Sequence, residues 1–319
     1  MLAISLYFFV DMPSVMIVLF LLLYSLASFA SGLINPVWLD MLAKIIPERR
    51  RGRLFGLGFT IGKGLGILGS LAAGYILDHY GSIKGFTLCF FFAFLFNCVS
   101  WICMALIKEP RRPVKKEIQN ITTYLYQLPS ILQKNRNFSL FLLARVLSSF
   151  YGMAAAFFTV YAISRFNATN LDLGMFTALL LGSGLVTNFF WGYLGDKKGH
   201  KIVLVLACLL GIFSIPTAVF AGSLTVYYIV FAIYGTVISA NMISGMSIIL
   251  EFADHEDCST YVALNNLVIS PVGGTASLLG GFLANYYNYP TIFLMTMPIL
   301  MLGLTLMLLV KDPRSMHPE

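Results

Sequence analysis

The stretch FTLCFFFAFLFNCVSWICMALI, residues 86–107, runs for 22 positions without a charged side chain. A helix needs about 20 such residues to cross the hydrocarbon core of a bilayer. Because lipid offers the backbone no hydrogen-bond partners, spanning segments are either helices or strands of closed barrels. Barrel strands alternate apolar and polar residues, whereas this run is continuously apolar. The sequence therefore predicts a transmembrane helix here.

The rest of the chain has the same character. Of the 319 residues, 58% are hydrophobic and only 11% are charged, whereas an average soluble domain has about 25% charged residues. The composition predicts an all-α membrane protein with about nine full transmembrane helices and a short N-terminal stub. The predicted segments are 1–10 (the stub), 14–45, 54–78, 84–107, 138–164, 171–191, 202–221, 226–250, 259–285 and 290–310.

The chain lacks the motifs of a metal, redox or nucleotide site. Its five cysteines lie mostly in apolar runs and form no CxxC pair, as expected of small apolar side chains. No GxxxxGK[ST] loop occurs, so an ATP-driven pump would need a separate subunit. The four histidines fall between the predicted spans without ligand spacing: His79, His200, His255 and His317. We therefore expect no enzyme activity, no cofactor and no metal.

Lysine and arginine are strongly biased to one side of the predicted bundle. If residues 192–201 are cytoplasmic, 17 of the 21 basic residues fall on that side or at its helix ends. The same side receives 46–53, 108–137, 251–258 and 311–319. Because cytoplasmic loops carry excess Lys and Arg, we expect a multi-pass protein of the cell inner membrane with a cytoplasmic C-terminus. The bias also accounts for the net charge of +7 without a nucleic-acid partner.

A long polar segment, 108–137, is predicted to be a cytoplasmic linker between two helical parts, 1–107 and 138–319. The parts resemble one another, since 51–81 aligns without gaps to 258–288 at an offset of 207. The matches include Gly66 with Gly273, Ser70 with Ser277, Gly74 with Gly281 and, after a one-residue gap, Asn35 with Asn241. Repeats around a central site are a transporter architecture. Chance similarity between glycine-rich helices is the alternative.

The segment GYLGDKKGHK, residues 192–201, places one aspartate and three lysines between two apolar runs. It resembles the G-x-L-[AG]-D-[RK]-x-G-[RK]-[RK] loop signature of the major facilitator superfamily, with His200 in place of a usual basic residue. The matching residues are Gly192, Gly195, Asp196, Lys197, Gly199 and Lys201. The arginine-rich PERRRGRLFG, residues 47–56, also resembles this family. The resemblance covers the whole chain and implies a major-facilitator-type bundle of two helical halves.

Members of that family have two six-helix halves, each with this loop after its second helix. Subtracting the offset of 207 from residue 192 puts the first copy near position −15. We therefore expect the chain to lack about two and a half N-terminal helices, so that 1–107 is an incomplete half. The resemblance also implies that Asp196 docks near the start of 259–285 as a conformational lock. Alternatively, the charges of the loop only fix the topology.

Two cations fall inside predicted spans, where an ionised group costs several kcal/mol. Lys63 follows Arg53 by ten residues, which is about 15 Å along a helix, and it lies in a glycine-rich span. Arg145 lies about two turns into 138–164, and its alternative role is to reach toward the headgroups. We expect both cations to face a cavity. In one hypothesis they bind an anionic solute there; in the other, a proton-coupling carboxylate lies on the missing helices.

Polar side chains recur at helical spacing on several spans. Besides the two cations, the predicted solute pathway consists of Asn35 and Trp38 on 14–45, Asn188 on 171–191, Asn241 and Ser244 on 226–250, and Asn266 and Ser270 on 259–285. Hydrogen bonding between helices is the alternative role of these residues. Their positions on repeat-related helices favour a water-filled pathway.

Together these features predict a secondary active transporter that moves a small-molecule solute by alternating access, and an anionic solute would suit the two cations. A coupling ion, either a proton or sodium, would drive it. We expect a monomer embedded in the lipid bilayer. A transport-inactive truncated product or a membrane sensor of the same fold is the alternative.

Overall fold

A computed structural model describes residues 13–45, 48–107, 132, 135–252 and 258–315. Within these residues all regular structure is helical. The helices are α1 (Pro13–Ile45), α2 (Glu48–Tyr80), α3 (Ser82–Ala105), α4 (Arg136–Ser149), α5 (Tyr151–Ala155), α6 (Phe158–Phe166), α7 (Asn170–Lys198), α8 (His200–Phe220), α9 (Leu224–Phe252), α10 (Cys258–Ala284) and α11 (Tyr289–Leu309). A short 3₁₀ turn covers Pro313–Ser315.

Eight segments of the described residues are long and apolar enough to cross a membrane. They are Gly58–Tyr80 in α2, Lys84–Ala105 in α3, Arg136–Phe166 across α4 to α6, Thr260–Ala284 in α10, and the whole of α7, α8, α9 and α11. Many large apolar side chains on these segments are exposed; Phe189 and Phe220 are each 77% exposed. Apolar surface of this extent is suited to lipid rather than water. The predicted all-α membrane fold is confirmed.

The charged segment 192–201 is not the loop that the sequence predicts. α7 continues past residue 191 to Lys198, and α8 begins at His200, so Gly199 alone joins the two helices. Gly199 has φ +91°, which side-chain-bearing residues rarely adopt. A Cβ on Gly199 would also lie 2.6 Å from Asp312 Oδ2. A tight glycine joint therefore lets both helices extend into the charged sequence.

Several predicted features lie outside the described residues. They include the stub 1–10 and most of the linker 108–137. The division into 1–107, 108–137 and 138–319 stays a prediction, as does the lack of N-terminal helices.

The chain separates into two compact units. One comprises the described residues of Met1–Gly62 and Ala72–Glu117, and the other those of Lys63–Leu71 and Ile118–Glu319. The middle of α2 thus belongs with the second unit. In the second unit the most extensive packing joins α7 to α9, followed by α8 to α9 and α4 to α11.

Aromatic side chains form a core of the second unit where α6, α7 and α9 meet. The rings of Phe176 and Phe231 stack with their centroids 4.2 Å apart. Tyr227 is fully buried, and its hydroxyl donates to the Phe158 carbonyl oxygen at 2.8 Å. Because that hydroxyl has a partner, the ring is buried without an unsatisfied polar group. This core fixes α7 and α9, the two helices that carry most of the candidate site.

Candidate functional site

Lys63 lies beside α7, within the second unit. Its Nζ is 3.0 Å from the side-chain oxygen of Asn188, in the amide orientation that gives every polar atom of Asn188 a partner. In that orientation the amide nitrogen of Asn188 donates to the Gly184 carbonyl oxygen at 3.0 Å and to Ser239 Oγ of α9. Ser239 Oγ donates to the same carbonyl oxygen at 3.2 Å. Lys63, Gly184, Asn188 and Ser239 are called the lysine cluster below.

Two glycines bring the elements of the lysine cluster together. A Cβ on Gly184 would lie 3.3 Å from both Lys63 Nζ and the Gly235 carbonyl oxygen. A Cβ on Gly235 would collide with the Leu180 carbonyl oxygen of α7. Small residues allow such close approach of helix backbones. The cluster therefore depends on the absence of side chains at the crossing of α7 and α9.

Arg145 of α4 turns its guanidinium onto α9. Its Nη1 donates to Asn241 Oδ1, and Asn241 Nδ2 donates to the Val237 carbonyl oxygen at 2.9 Å. A Cβ on Gly245 would lie 2.9 Å from Arg145 Nη2, so this glycine makes room for the guanidinium. Arg145 Nε is buried and has no hydrogen-bond partner among the described residues. Arg145, Asn241 and Gly245 are called the arginine cluster below.

In the described part of the chain, both cations are bound only by neutral groups. Among the described residues, no carboxylate lies within ion-pair distance of Lys63 or Arg145. The acidic residues described in the second unit all lie near helix ends or beyond them: Asp172, Asp196, Glu251 and Asp312. Two positive charges thus lie within membrane-spanning segments without a compensating acid from this part of the chain. Such groups usually face a cavity or a functional partner.

The other predicted pathway residues do not join either cluster. Ser244 Oγ lies 3.1 Å from His200 Nδ1. Asn266 and Ser270 of α10 are exposed, and Asn266 Oδ1 accepts from Asn265 Nδ2 at 3.2 Å. Asn35 and Trp38 lie on α1, but their side chains are outside the described part of the structure. The structure therefore pairs Lys63 with Asn188 and Arg145 with Asn241, and whether these residues line a pathway stays a prediction.

Sequence reasoning missed Ser239 and Asn265. Ser239 is buried in the lysine cluster, although it lies off the stripe that contains Asn241 and Ser244. Asn265 is 6% exposed, and its Oδ1 has no partner among the described residues. The glycines at 184 and 235 are the signal that was available for Ser239, because facing glycines mark a close helix crossing.

A charge network surrounds the Gly199 joint. His200 is only 6% exposed, and its Nε2 lies 3.9 Å from both Asp196 Oδ1 and Glu251 Oε1. Arg314 Nη2 lies 2.6 Å from the same Glu251 oxygen, and Arg314 Nη1 donates to the Asp196 carbonyl oxygen at 2.8 Å.

The prediction that the histidines lie in loops is wrong for His200, which begins α8, and for His79, which lies in α2.

The predicted conformational lock is described only in part. The Asp196 side chain is 83% exposed, and the side chains at the first two positions of α10 lie outside the described residues. Lys197 Nζ lies 5.6 Å above the centre of the Tyr193 ring, and Lys201 Nζ donates to the Leu308 carbonyl oxygen at 2.9 Å. Gly195 packs against the His200 ring, whereas Gly192 faces open space. Docking of Asp196 on α10 stays a prediction.

Comparison with known proteins finds relatives among multidrug resistance proteins. "Multidrug resistance protein MdtG" of Salmonella arizonae is 27% identical over 201 residues, which are 60% of this chain and 47% of that protein. The protein of the same name from Escherichia fergusonii is 24% identical over 284 residues, which are 87% of this chain and 67% of that protein. The chain thus spans about half the length of the first relative.

Among solved structures, a bacterial homologue of the human lysosomal transporter Spinster, in an inward-facing and unoccupied conformation, has a TM-score of 0.48 at 14% identity. That alignment covers 85% of this chain and 71% of the other. The family model described as "Major Facilitator Superfamily" matches residues 1–277 and 146–319. Since the matched residues exceed half of the chain, this polypeptide belongs to the Major Facilitator Superfamily, a family of membrane transporters rather than enzymes.

Proposed function

We propose that the protein is a secondary active transporter that moves a small solute by alternating access, with the lysine and arginine clusters along the solute pathway. One observation carries this proposal: among the groups that the structure describes, those that bind Lys63 and Arg145 within spanning segments are uncharged amides. A structural role would favour pairing a cation within a span with a carboxylate, because an uncompensated ionised group there costs several kcal/mol. A solute with a negative group would offset that cost when it binds.

The proposal also covers the coupling ion, the membrane, the orientation and the oligomeric state. A proton or sodium ion is the coupling ion, the inner membrane is the location, the C-terminus faces the cytoplasm, and the protein is a monomer. The Asp196 lock belongs to the same proposal. A transport-inactive product or a membrane sensor of the same fold is the competing function.

A second solute class has one observation in its favour. The curated relatives carry the name multidrug resistance protein. Drugs that carry a carboxylate are therefore informative solutes, because they combine the solute class that this name suggests with a group that the two cations could bind.

The experiment is uptake into proteoliposomes that contain the purified chain, under an imposed pH or sodium gradient. The solutes are a panel of carboxylic acids, carboxylate drugs and their neutral amides. We expect gradient-dependent flux of at least one acid, and a loss of about tenfold, equivalent to 1.4 kcal/mol, in Lys63→Gln and in Arg145→Gln. The matched controls Lys84→Gln and Arg136→Gln change exposed basic residues and should retain the flux.

Two outcomes count against this function. Absence of protein-dependent flux for every solute and both gradients would favour the inactive or sensor alternative. Flux that Lys63→Gln and Arg145→Gln leave unchanged would remove the two clusters from the pathway.

A further inference from the structure

Asn188 and Asn241 repeat one local arrangement on two different helices. Each amide nitrogen donates to the carbonyl oxygen four residues earlier on its own helix, at 3.0 Å for Asn188 to Gly184 and 2.9 Å for Asn241 to Val237. Each amide oxygen then accepts from a cation of another helix. The bond to its own helix fixes each amide so that its oxygen, and not its nitrogen, faces the cation.

This arrangement positions a cation without neutralising it. An amide oxygen is a hydrogen-bond acceptor with no net charge, whereas an aspartate of nearly the same shape would form an ion pair at the same place. The described acids do not supply that charge from elsewhere. Glu251, on the same helix as Asn241, is engaged by Arg314 at 2.6 Å, and Asp172 accepts at 2.6 Å from Tyr228.

Donors also remain on the arginine. A guanidinium has five N–H groups arranged as a planar fork, and the described hydrogen bond of its side chain uses Nη1 only. Planar oxyanions such as carboxylates match that fork better than spherical anions. The arginine cluster is therefore suited to an oxyanion, and the lysine cluster provides a second positive charge that interacts without a fixed direction.

We propose that Asn188 and Asn241 are specificity-determining positioning residues, which hold Lys63 and Arg145 through neutral amides and so reserve both charges for a carboxylate-type group of the solute. The proposal rests on the proposed function for the identity of the solute. Its physical core, two uncompensated charges reachable by anions, can be measured without knowing the solute.

Hydrogen bonding between helices is the competing role, and it predicts the opposite order of function for the variants Asn241→Asp and Asn241→Leu. If Asn241 only ties α4 to α9, Asn241→Asp should preserve the contact, because an ion pair replaces a hydrogen bond. If Asn241 keeps the charge free, Asn241→Asp should abolish the function while leaving the fold intact. Asn241→Leu separates the two roles further, because it removes the hydrogen bond without adding a charge.

The test measures local potential with charged thiol reagents. In the full chain with its five cysteines changed to serine, Ser149→Cys places a thiol one turn from Arg145, where the serine hydroxyl donates to the Arg145 carbonyl oxygen at 2.9 Å. Ser70→Cys likewise places a thiol on α2, two turns from Lys63. The measured quantity is the ratio of reaction rates with an anionic and a cationic methanethiosulfonate of similar size.

We expect the anionic reagent to be favoured at both thiols. Asn241→Asp should lower the ratio at residue 149 by about tenfold, because the reagents differ by two charges in a potential on the order of kT. Asn188→Asp should likewise lower the ratio at residue 70. Asn97→Asp is the matched control, because Asn97 also donates to the carbonyl four residues earlier, at 2.9 Å, and no cation is described beside it.

Melting temperature is measured on the same variants. Asn241→Asp should melt no lower than the parent, whereas Asn241→Leu should melt lower and still favour the anionic reagent. The proposal is overturned if the parent does not favour the anionic reagent at residue 149, if Asn241→Asp leaves the ratio there unchanged, or if neither reagent reaches either thiol. If the proteoliposomes show no flux but the ratio of reaction rates still responds as expected, only the proposed function is contradicted.

Discussion

Arg314 and Glu251 lie 2.6 Å apart although 63 residues separate them in the chain. The contact joins the 3₁₀ turn after α11 to the last turn of α9. Arg314 also donates to the Asp196 carbonyl oxygen of α7, so a single side chain ties three helical ends together. Since Glu251 is only 17% exposed, this ion pair is screened less by water than an ordinary surface pair.

The Arg314 contacts should contribute measurably to stability. We expect Arg314→Ala to lower the free energy of unfolding by about 1–2 kcal/mol, since it removes charge-assisted hydrogen bonds and leaves Glu251 without its partner. Thermal unfolding of the purified protein in detergent measures the effect. Lys311→Ala, an exposed neighbour, is the control. Equal melting temperatures for the two variants would contradict the expectation.

Gly199 should not tolerate a side chain. We expect Gly199→Ala to cost about 1–3 kcal/mol from the positive φ alone, and more from the displacement of Asp312. Gly222→Ala, at a position with open space, should stay within about 0.5 kcal/mol of the parent. The same thermal assay tests both variants. A stable Gly199→Ala protein would mean that α7 and α8 do not require this tight joint.

The crossing of α7 and α9 should be equally sensitive to an added side chain. Gly235→Ala would drive a methyl group into the Leu180 carbonyl oxygen, and overpacking of this kind costs about 1–3 kcal/mol. Because backbone atoms are involved, side-chain rotation cannot relieve the clash. Gly274→Ala, where no atom lies within 4 Å, is the control. The melting temperatures of the two variants test this expectation. A smaller loss of stability in Gly235→Ala than in Gly274→Ala would contradict the close crossing of the two helices.

Asp196 should affect transport more than stability. Its side chain is 83% exposed, so Asp196→Asn should leave the melting temperature unchanged. If Asp196 acts as a conformational lock, proteoliposome flux should fall by about tenfold, the equivalent of 1.4 kcal/mol. Lys198→Gln, an exposed neighbour, should retain the flux. Equal flux in both variants would leave Asp196 with the topological role alone.

Much of the fold follows from apolar run length. The run at 86–107 predicts a span, and α3 occupies Ser82–Ala105, because the bilayer requirement acts on each helix separately. The end of α7 was mispredicted, since charged residues suggest a loop whereas Gly199 supplies the whole turn. Local sequence does not reveal that a single residue is enough to reverse the chain here.

The candidate site was harder to predict, because its contacts depend on helix packing. Lys63, Arg145, Asn188 and Asn241 were all expected on physical grounds, as polar groups in apolar spans. Their pairing was not predictable, since it depends on the crossing of α7 and α9 at Gly184 and Gly235 and on the space that Gly245 leaves for Arg145. Ser244 shares a helix face with Asn241, yet it contacts His200 instead, because it lies almost one turn further along α9, beside the start of α8.

The interrupted span formed by α4, α5 and α6 has a mechanical consequence. The chain leaves regular helix at Phe150 and again at Ala156 and Phe157, and the amide groups of Phe150 and Phe157 bond to carbonyls three residues back. Arg145 lies before the first break and the aromatic core contacts of Phe158 come after the second. Two irregular turns therefore lie between the Arg145 guanidinium and the buried ring of Phe158, and a change of backbone angles at either turn would alter the angle between α4 and α6.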